Sequence, residues 1–187
     1  MTPSSRSAAS KAQEWLARQP IFLDTETTGL DRRDQVVDIC LVDHDGSILF
    51  DSLVRPTVRV PLEASRIHGI TNEMVAGAPS WTEIWPEIEP LLSTRPTGIY
   101  NLDFDVKMVH QTHQAHGIPW RFNPSQAFCI MKLYAEYRGE WNHRFGNYRW
   151  HKLEEAGRQC RIPLPNSHRA KDDALLARAV LLHMAAA

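Results

Sequence analysis

Asp24 and Glu26 stand one residue apart inside the apolar run FLDTETTGL, residues 22–30. Alternate residues of a strand share a face, so these two carboxylates point one way while Leu23 and Thr25 point the other. Two carboxylates crowded on a half-buried surface repel and resist ionising. A divalent cation removes that conflict. Oxygen donors with no nearby Cys or His suit Mg²⁺ or Mn²⁺ rather than Zn²⁺. The simpler alternative is a strand end that runs into a polar turn at TTG.

Two further acidic sites lie downstream. YNLDFDVKM (100–108) follows a strand and opens a helix, the place where functional groups of α/β sheets gather. Asp103 and Asp105 both fall near that helix start, where an acid can also serve simply as a cap or answer the helix dipole. The third site is HRAKDDALLARAVLLHM. At 100° per residue Lys171 and Arg178 mark the solvent side of a helix. Asp173 then falls opposite them, on one stripe with Ala177, Val180 and Met184, and a carboxylate aimed among apolar residues needs a reason to be there. On a continuous helix His168 would lie about 140° from Asp173. For both to serve one site, His168 must sit off the helix, in the turn after Pro163 and Pro165; otherwise it is a surface-loop histidine or a cap.

The elements that must position these groups follow from periodicity and turn chemistry. Strands are expected at 21–26, 35–43 and 47–55, the last two joined by the hairpin signal HDGS. A short strand at 97–101 and a strand running into a helix over 125–137 follow. Helical stretches are expected at 10–18, in LEASRIHGI, in TNEMV with Thr71 as cap, and at 80–92, interrupted by Pro86 and Pro90. Further helices are expected at 104–117 closed by Gly117, at 150–162 and at 168–185. Residues 1–7 read as a loose polar tail. Strands first, then alternating helices and strands, mean a mixed α/β sheet covered by helices.

A chain of 187 residues suits a single domain. A formal net charge of -1 shows no bulk basicity, although a local patch would suffice for a polyanion. Cys40, Cys129 and Cys160 are odd in number and widely spaced, which excludes a disulfide framework and a CxxC site and points to a reducing, cytoplasmic setting. No segment has signal-peptide character or the length of a membrane span.

Each acidic signal is common alone, but the ordered set D-x-E, N-x-x-F-D and H-x-x-x-x-D is specific. With these motifs the chain resembles the DnaQ-like 3′–5′ exonucleases of the DEDD superfamily, in the His-bearing DEDDh subgroup, over residues 20–185. FLDTETTGL is nearly literal for the first motif, YNLDFD matches the second with Asp105 in the acidic place, and HRAKDDA matches the third with His168 and Asp173. IHGIT (67–71) also resembles a family segment. Asp103 departs from the family pattern and is expected either to support the metal ligands from behind or to lie at the surface, without being a ligand itself. Arg169 stands where a sister subgroup has Tyr.

The resemblance implies a ribonuclease-H-like mixed five-stranded sheet flanked by helices, with residues 20–187 as the exonuclease domain and 1–19 a tail and short helix. It implies that Asp24, Glu26, Asp105 and Asp173 hold two divalent ions, Mg²⁺ or Mn²⁺, that stabilise an in-line displacement at phosphorus. His168 is then the general base, and an imidazole suits that task near neutral pH. The expected partner is a nucleic acid with a free 3′ end, foremost single-stranded DNA, with nucleoside 5′-monophosphates as products. Thr27, Thr28, Gly29, Leu30, His68, Asn101 and Phe104 are the expected substrate-contacting residues. An RNA-trimming enzyme of the same fold remains the alternative, as does a non-catalytic polymerase accessory subunit, and a homodimer or a polymerase partner is open. The end at Ala187, directly after the last helix, favours a freestanding repair or trimming enzyme over a tethered proofreading subunit. An aspartyl-nucleophile phosphatase is disfavoured, because Glu26 replaces its second Asp.

Two other segments bear on binding. WNHRFGNYRWHK (141–152) interleaves aromatic rings with Arg144, Arg149 and Lys152, the composition either of a single-strand platform or of a loop whose tryptophans pack on the sheet. His110, His113 and His116 recur every three residues, drift around the helix, and are expected to be a surface run rather than a zinc site.

Overall fold

The strand carrying Asp24 and Glu26 is β1 (Ile21–Thr27), and it lies at the centre of a five-stranded sheet. The computed structural model describes residues 2–121, 123–165 and 167–187. β1 pairs antiparallel with β2 (Val36–Val42), and β2 pairs antiparallel with β3 (Ile48–Leu53), the expected meander. On its other side β1 pairs in parallel with β4 (Thr97–Ile99), which pairs in parallel with β5 (Ala127–Cys129). The order is β3–β2–β1–β4–β5. β2 is buried at every position, as a strand covered on both faces must be.

The helices are α1 (Pro3–Ala17), α2 (Leu62–His68), α3 (Asn72–Ala76), α4 (Trp81–Thr94), α5 (Leu102–His116), α6 (Ile130–Arg138), α7 (Leu153–Gln159) and α8 (Ala170–Ala185). They form two layers. Phe22, Cys40 and Val42 on one face of the sheet join α1, α6, α7 and α8 through Ala8, Ala12, Tyr134, Ala156, Ala177 and Val180. Ile21, Leu23, Ile39 and Leu41 on the other face meet α4 and α5 through Trp81, Ile84, Ile88, Met108 and Val109. This is the ribonuclease-H-like arrangement expected from the sequence. Val37, Val60, Ala64, Ile70 and Val75 build a small satellite core under α2 and α3.

Three expectations are corrected. Residues 3–7 are not a loose tail but the first turns of α1, which packs on α6 and α8. Thr2 caps it by accepting from Ser5 N at 3.1 Å, and Pro3 begins it. Its Ala8 and Ala12 are fully buried, and Trp15 stacks on Phe128 at 4.3 Å between ring centroids, which contributes about 1 kcal/mol beyond area burial. Pro86 and Pro90 do not interrupt α4, which runs continuously from Trp81 to Thr94. Both prolines face solvent, while Trp81, Ile84, Trp85 and Ile88 pin the opposite stripe to the sheet.

His113 is not on the surface. It is fully buried against Trp81, Trp85 and Trp120, with ring centroids 5.5, 4.2 and 5.0 Å away. Spacing alone had hidden the tryptophan cluster that covers it.

The segment 141–152 contains a feature that turn signals had not marked. Trp141–Asn142 (β6) and Asn147–Tyr148 (β7) form a two-stranded antiparallel hairpin. Gly146 in the turn adopts φ +63°, a conformation that suits glycine.

Candidate active site

The parallel pairing of β1 with β4 ends at Leu23 opposite Ile99. Beyond that point the sheet opens, because β4 stops and α5 begins at Leu102. Asp24 and Glu26 lie just past the opening, on the face shared with Phe22 and directed toward α8. The free edge of β1 finds its partner in α5: Thr25 N donates to Asp105 Oδ1 at 3.2 Å, and the Thr25 hydroxyl donates to the same oxygen at 2.8 Å. Thr25 faces the α5 side of the sheet, so Asp105 reaches the cleft from the layer opposite to α8. Asp173 comes from the first turn of α8 and is buried there with Ala177, Val180 and Met184, as the helical stripe required.

One cleft brings these groups together. Asp24, Glu26, Asp105, Asp173 and His168 all line it, as do Asn101 and Phe104. Its other walls are Thr25, Tyr100, Lys152, Leu153 and Glu154, of which the sequence had marked only Lys152, as a cation of the 141–152 segment. Tyr100 is fixed by donating its hydroxyl proton to His151 O at 2.9 Å. That bond ties the residue after β4 to the segment leading into α7.

Electrostatically the cleft is a cluster of carboxylates that resist ionising. Burial, followed by the charges of Asp105, Asp173 and Glu26, pushes Asp24 well above the usual carboxylate range. Burial, followed by Asp173, Asp38 and Asp105, pushes Glu26 up to about 8, with Arg169 opposing. Burial pushes Asp105 up to about 7 against the two hydrogen bonds from Thr25. These are the shifts expected of acids awaiting a cation.

The donor set fits a divalent metal. Glu26, His168 and Asp173 each offer a ligand atom within 4.8 Å of the others. Asp24 and Asp105 add carboxylate oxygens to the same cleft, so the set is dominated by the oxygen donors that Mg²⁺ and Mn²⁺ prefer.

His168 lies off α8, which begins at Ala170, as helical geometry had required. It is exposed on the rim of the cleft and has a left-handed backbone, φ 52°. Asp103 forms an exposed ion pair with Lys132 at 2.6 Å, away from the cleft lining, so of the two places open to it the surface is the one it takes.

The other expected substrate contacts separate into two groups. Asn101 and Phe104 line the cleft, whereas His68 is buried behind it. The His68 ring accepts from Ile70 N through Nδ1 at 3.0 Å and meets the Thr27 carbonyl through Nε2 at 3.2 Å. It holds the TTGL turn from the rear. Within that turn Thr27 and Thr28 are also buried. The Thr27 hydroxyl donates to Gly29 O at 2.7 Å, and that of Thr28 donates to Asp34 at 2.7 Å. A Cβ on Gly29 would fall 2.6 Å from Asp34 Oδ2, so a larger residue here would displace the carboxylate that holds the turn. Leu30 alone projects, 73% exposed, while its carbonyl accepts from Lys107 Nζ at 3.0 Å.

Comparison with known proteins agrees with the geometry. A family model described as Exonuclease matches residues 21–181. The uncharacterized exonuclease CP81 of Escherichia phage 186 is 40% identical over 178 residues, covering 92% of this chain and 91% of its own. The DNA polymerase III subunit epsilon of Aquifex aeolicus is 28% identical, over 87% of this chain and 78% of its own. Exonuclease X, solved in complex with 5′-overhanging duplex DNA, is 26% identical with a TM-score of 0.64, over 88% of this chain and 89% of that one. The sheet that opens after Leu23, the acids gathered at the opening and the match across residues 21–181 lead to one assignment: the chain belongs to the DnaQ-like, DEDDh family of 3′–5′ exonucleases and is a phosphodiester-hydrolysing enzyme acting on nucleic acid.

Proposed function

We propose that this enzyme removes nucleoside 5′-monophosphates one at a time from the 3′ end of single-stranded DNA, with two divalent ions held by Asp24, Glu26, Asp105 and Asp173. The observation that carries the reading is the convergence of these four carboxylates from β1, α5 and α8 on one cleft with His168 at its rim. A protein that only bound nucleic acid would gain nothing from four repelling acids. When bound, Mg²⁺ or Mn²⁺ supplies charge stabilisation for both the attacking and the leaving oxygen of an in-line displacement.

The chain's own groups do the rest. The Thr25 hydroxyl and amide hold the Asp105 carboxylate in one orientation. His168, exposed to water, takes the proton of the attacking water as general base. The TTGL turn, braced by His68, Asp34 and Lys107, presents a fixed surface on which Leu30 meets the last base. Asn101 and Phe104 face the terminal nucleotide from the other wall. Two relatives support DNA as substrate: the polymerase III epsilon subunit of Aquifex aeolicus, and Exonuclease X with its bound DNA.

The test is a digest of end-labelled single-stranded DNA, double-stranded DNA and short RNA, with Mg²⁺, Mn²⁺ or EDTA. The expected result is metal-dependent release of 5′-monophosphates, fastest from single-stranded DNA, and its abolition in Asp24→Ala and Asp173→Ala. Retained hydrolysis in either variant would remove the ligand assignment. Faster release from RNA would move the substrate to the RNA-trimming alternative.

A further inference from the structure

The hairpin formed by β6 and β7 and the residues that follow it carry three large exposed rings: Trp141 at 50%, Phe145 at 67% and Trp150 at 52% exposure. Soluble chains rarely spend three such residues on one short projection without a partner for them. The same segment, 138–152, contains Arg138, Arg144, Arg149 and Lys152 against one acid, Glu140, in a chain whose net charge is -1. Glu140 occupies Arg138 and Arg149, at 3.1 and 3.6 Å. Arg144 and Lys152 take part in no ion pair among the described residues, and the Arg144 guanidinium lies 5.3 Å from the Phe145 ring centroid at the hairpin tip.

The hairpin is continuous with the active-site cleft. β7 ends at Tyr148, and only Arg149, Trp150 and His151 separate it from Lys152, Leu153 and Glu154 on the cleft wall. The His151 carbonyl is fixed by Tyr100, itself a lining residue. Trp150 thus stands about 7 Å of extended chain from the lining residue Lys152. The hairpin is also braced at its base, where Arg149 N donates to Glu140 O at 2.8 Å and the Trp141 and Tyr148 rings meet edge to face at 5.1 Å. A braced element with projecting rings and cations beside a cleft full of carboxylates has the chemistry to receive what those carboxylates repel. Aromatic faces stack on unpaired bases without regard to sequence, and cations track phosphates.

We propose that this hairpin is an accessory binding surface for the single-stranded segment of the substrate that lies outside the cleft, with Phe145 and Trp150 as base-stacking rings and Arg144 as a phosphate contact. The proposal rests on the exonuclease reading and extends it from the terminal nucleotide to the strand behind it. Truncating an exposed ring removes little packing, so Phe145→Ala and Trp150→Ala, alone and together, are suitable variants, with Arg144→Glu as an independent charge reversal.

The measurement is the ratio of kcat/KM for a twenty-nucleotide single-stranded oligonucleotide to that for the p-nitrophenyl ester of a nucleoside 5′-monophosphate, which is too short to reach the hairpin. The expected result is about a tenfold fall in that ratio for the double ring variant. A parallel measurement is fluorescence anisotropy of the labelled oligonucleotide in EDTA, where the same variant binds about tenfold more weakly. Arg144→Glu should lower the slope of log affinity against log salt by roughly one. An unchanged ratio with unchanged anisotropy would overturn the proposal, and so would an equal loss on both substrates. If the unaltered chain hydrolyses neither substrate, the exonuclease reading fails, while the anisotropy arm still tests the hairpin. A homodimer that these variants convert to monomer would assign the surface to a second copy of the chain and overturn strand binding.

Discussion

The Asp38 carboxylate, 1% exposed in the middle of β2, accepts from Arg169 Nε at 2.7 Å and joins the sheet to the residue beside His168. The same oxygen accepts from Ala170 N at 3.3 Å, so it caps α8 from another element where Arg169 offers no side-chain cap of its own. Asp38 also stands opposite Glu26 in the β1–β2 register. One buried acid thus fixes the start of the helix that carries Asp173 and the backbone from which His168 projects. Burial pushes its carboxyl up, and Arg169 opposes that rise.

Arg169→Ala should therefore cost both stability and rate. It leaves a buried carboxylate short of its charged donor, a loss of about 2 kcal/mol. In a domain of this size that lowers Tm by about 4–8 °C. The catalytic effect is a fall in kcat with KM little changed, since Arg169 acts through the placement of His168 and touches no substrate. Steady-state kinetics and thermal unfolding check the two halves separately. A KM rise at constant kcat would assign Arg169 to substrate binding instead.

Removing one acid from the cleft should stabilise the metal-free enzyme while abolishing activity. Asp24 is raised by burial and then by the charges of Asp105, Asp173 and Glu26, so Asp24→Asn relieves repulsion at nearly constant volume. The expected gain in EDTA is about 1–2 kcal/mol, or a few degrees in Tm. Added Mn²⁺ should reverse the order, because the unaltered enzyme gains more from the ion than the variant does. Differential scanning fluorimetry with and without Mn²⁺ reads both.

The pH dependence of metal-free stability has a definite sign. Glu26 is pushed up to about 8 and Asp105 to about 7, whereas in the unfolded chain both titrate as ordinary carboxylic acids. Between the unfolded and folded values the folded state holds more protons, so stability falls as pH rises through that interval, and the share of Glu26 and Asp105 in the fall is complete above about 8. Urea unfolding in EDTA from pH 5 to pH 9 should show the decline. Saturating Mg²⁺ should flatten it, because bound metal keeps the acids ionised, and metal binding near pH 6 should release protons measurable by calorimetry in buffers of different ionisation enthalpy.

His168→Ala should lower kcat by about a hundredfold to a thousandfold, in the range of lost general-base catalysis. Its ring is nevertheless close enough to Glu26 and Asp173 to serve as a ligand. The two roles separate in a Mn²⁺ titration. A base leaves the metal dissociation constant nearly unchanged, and a ligand raises it in step with the loss of rate.

Much of the site was legible in the sequence because strand and helix periods are local. Period two put Asp24 and Glu26 on one face, period 3.6 put Asp173 on the buried stripe of α8, and the same arithmetic forced His168 off the helix. Gly117 and the Asp-Gly turn marked boundaries that the structure keeps. The less legible features depend on neighbours distant in the chain. Pro86 and Pro90 looked like breaks, but four apolar anchors hold α4 continuous. His113 looked exposed until Trp81 and Trp120, from other segments, closed over it. His68 matched a substrate-contact motif, yet its ring is turned to the back of the Thr27 turn.

By itself, then, the sequence determined which faces the acids occupy, the order of the elements and the family they belong to. Only the tertiary structure decided where those faces meet. β4 stops at Ile99, so the edge of β1 that faces β4 has no strand partner from Asp24 onward, and a backbone amide on that edge must find another acceptor. Thr25 N finds it in Asp105, eighty positions along the chain, and that bond draws a carboxylate from one helical layer to the acids that face the other.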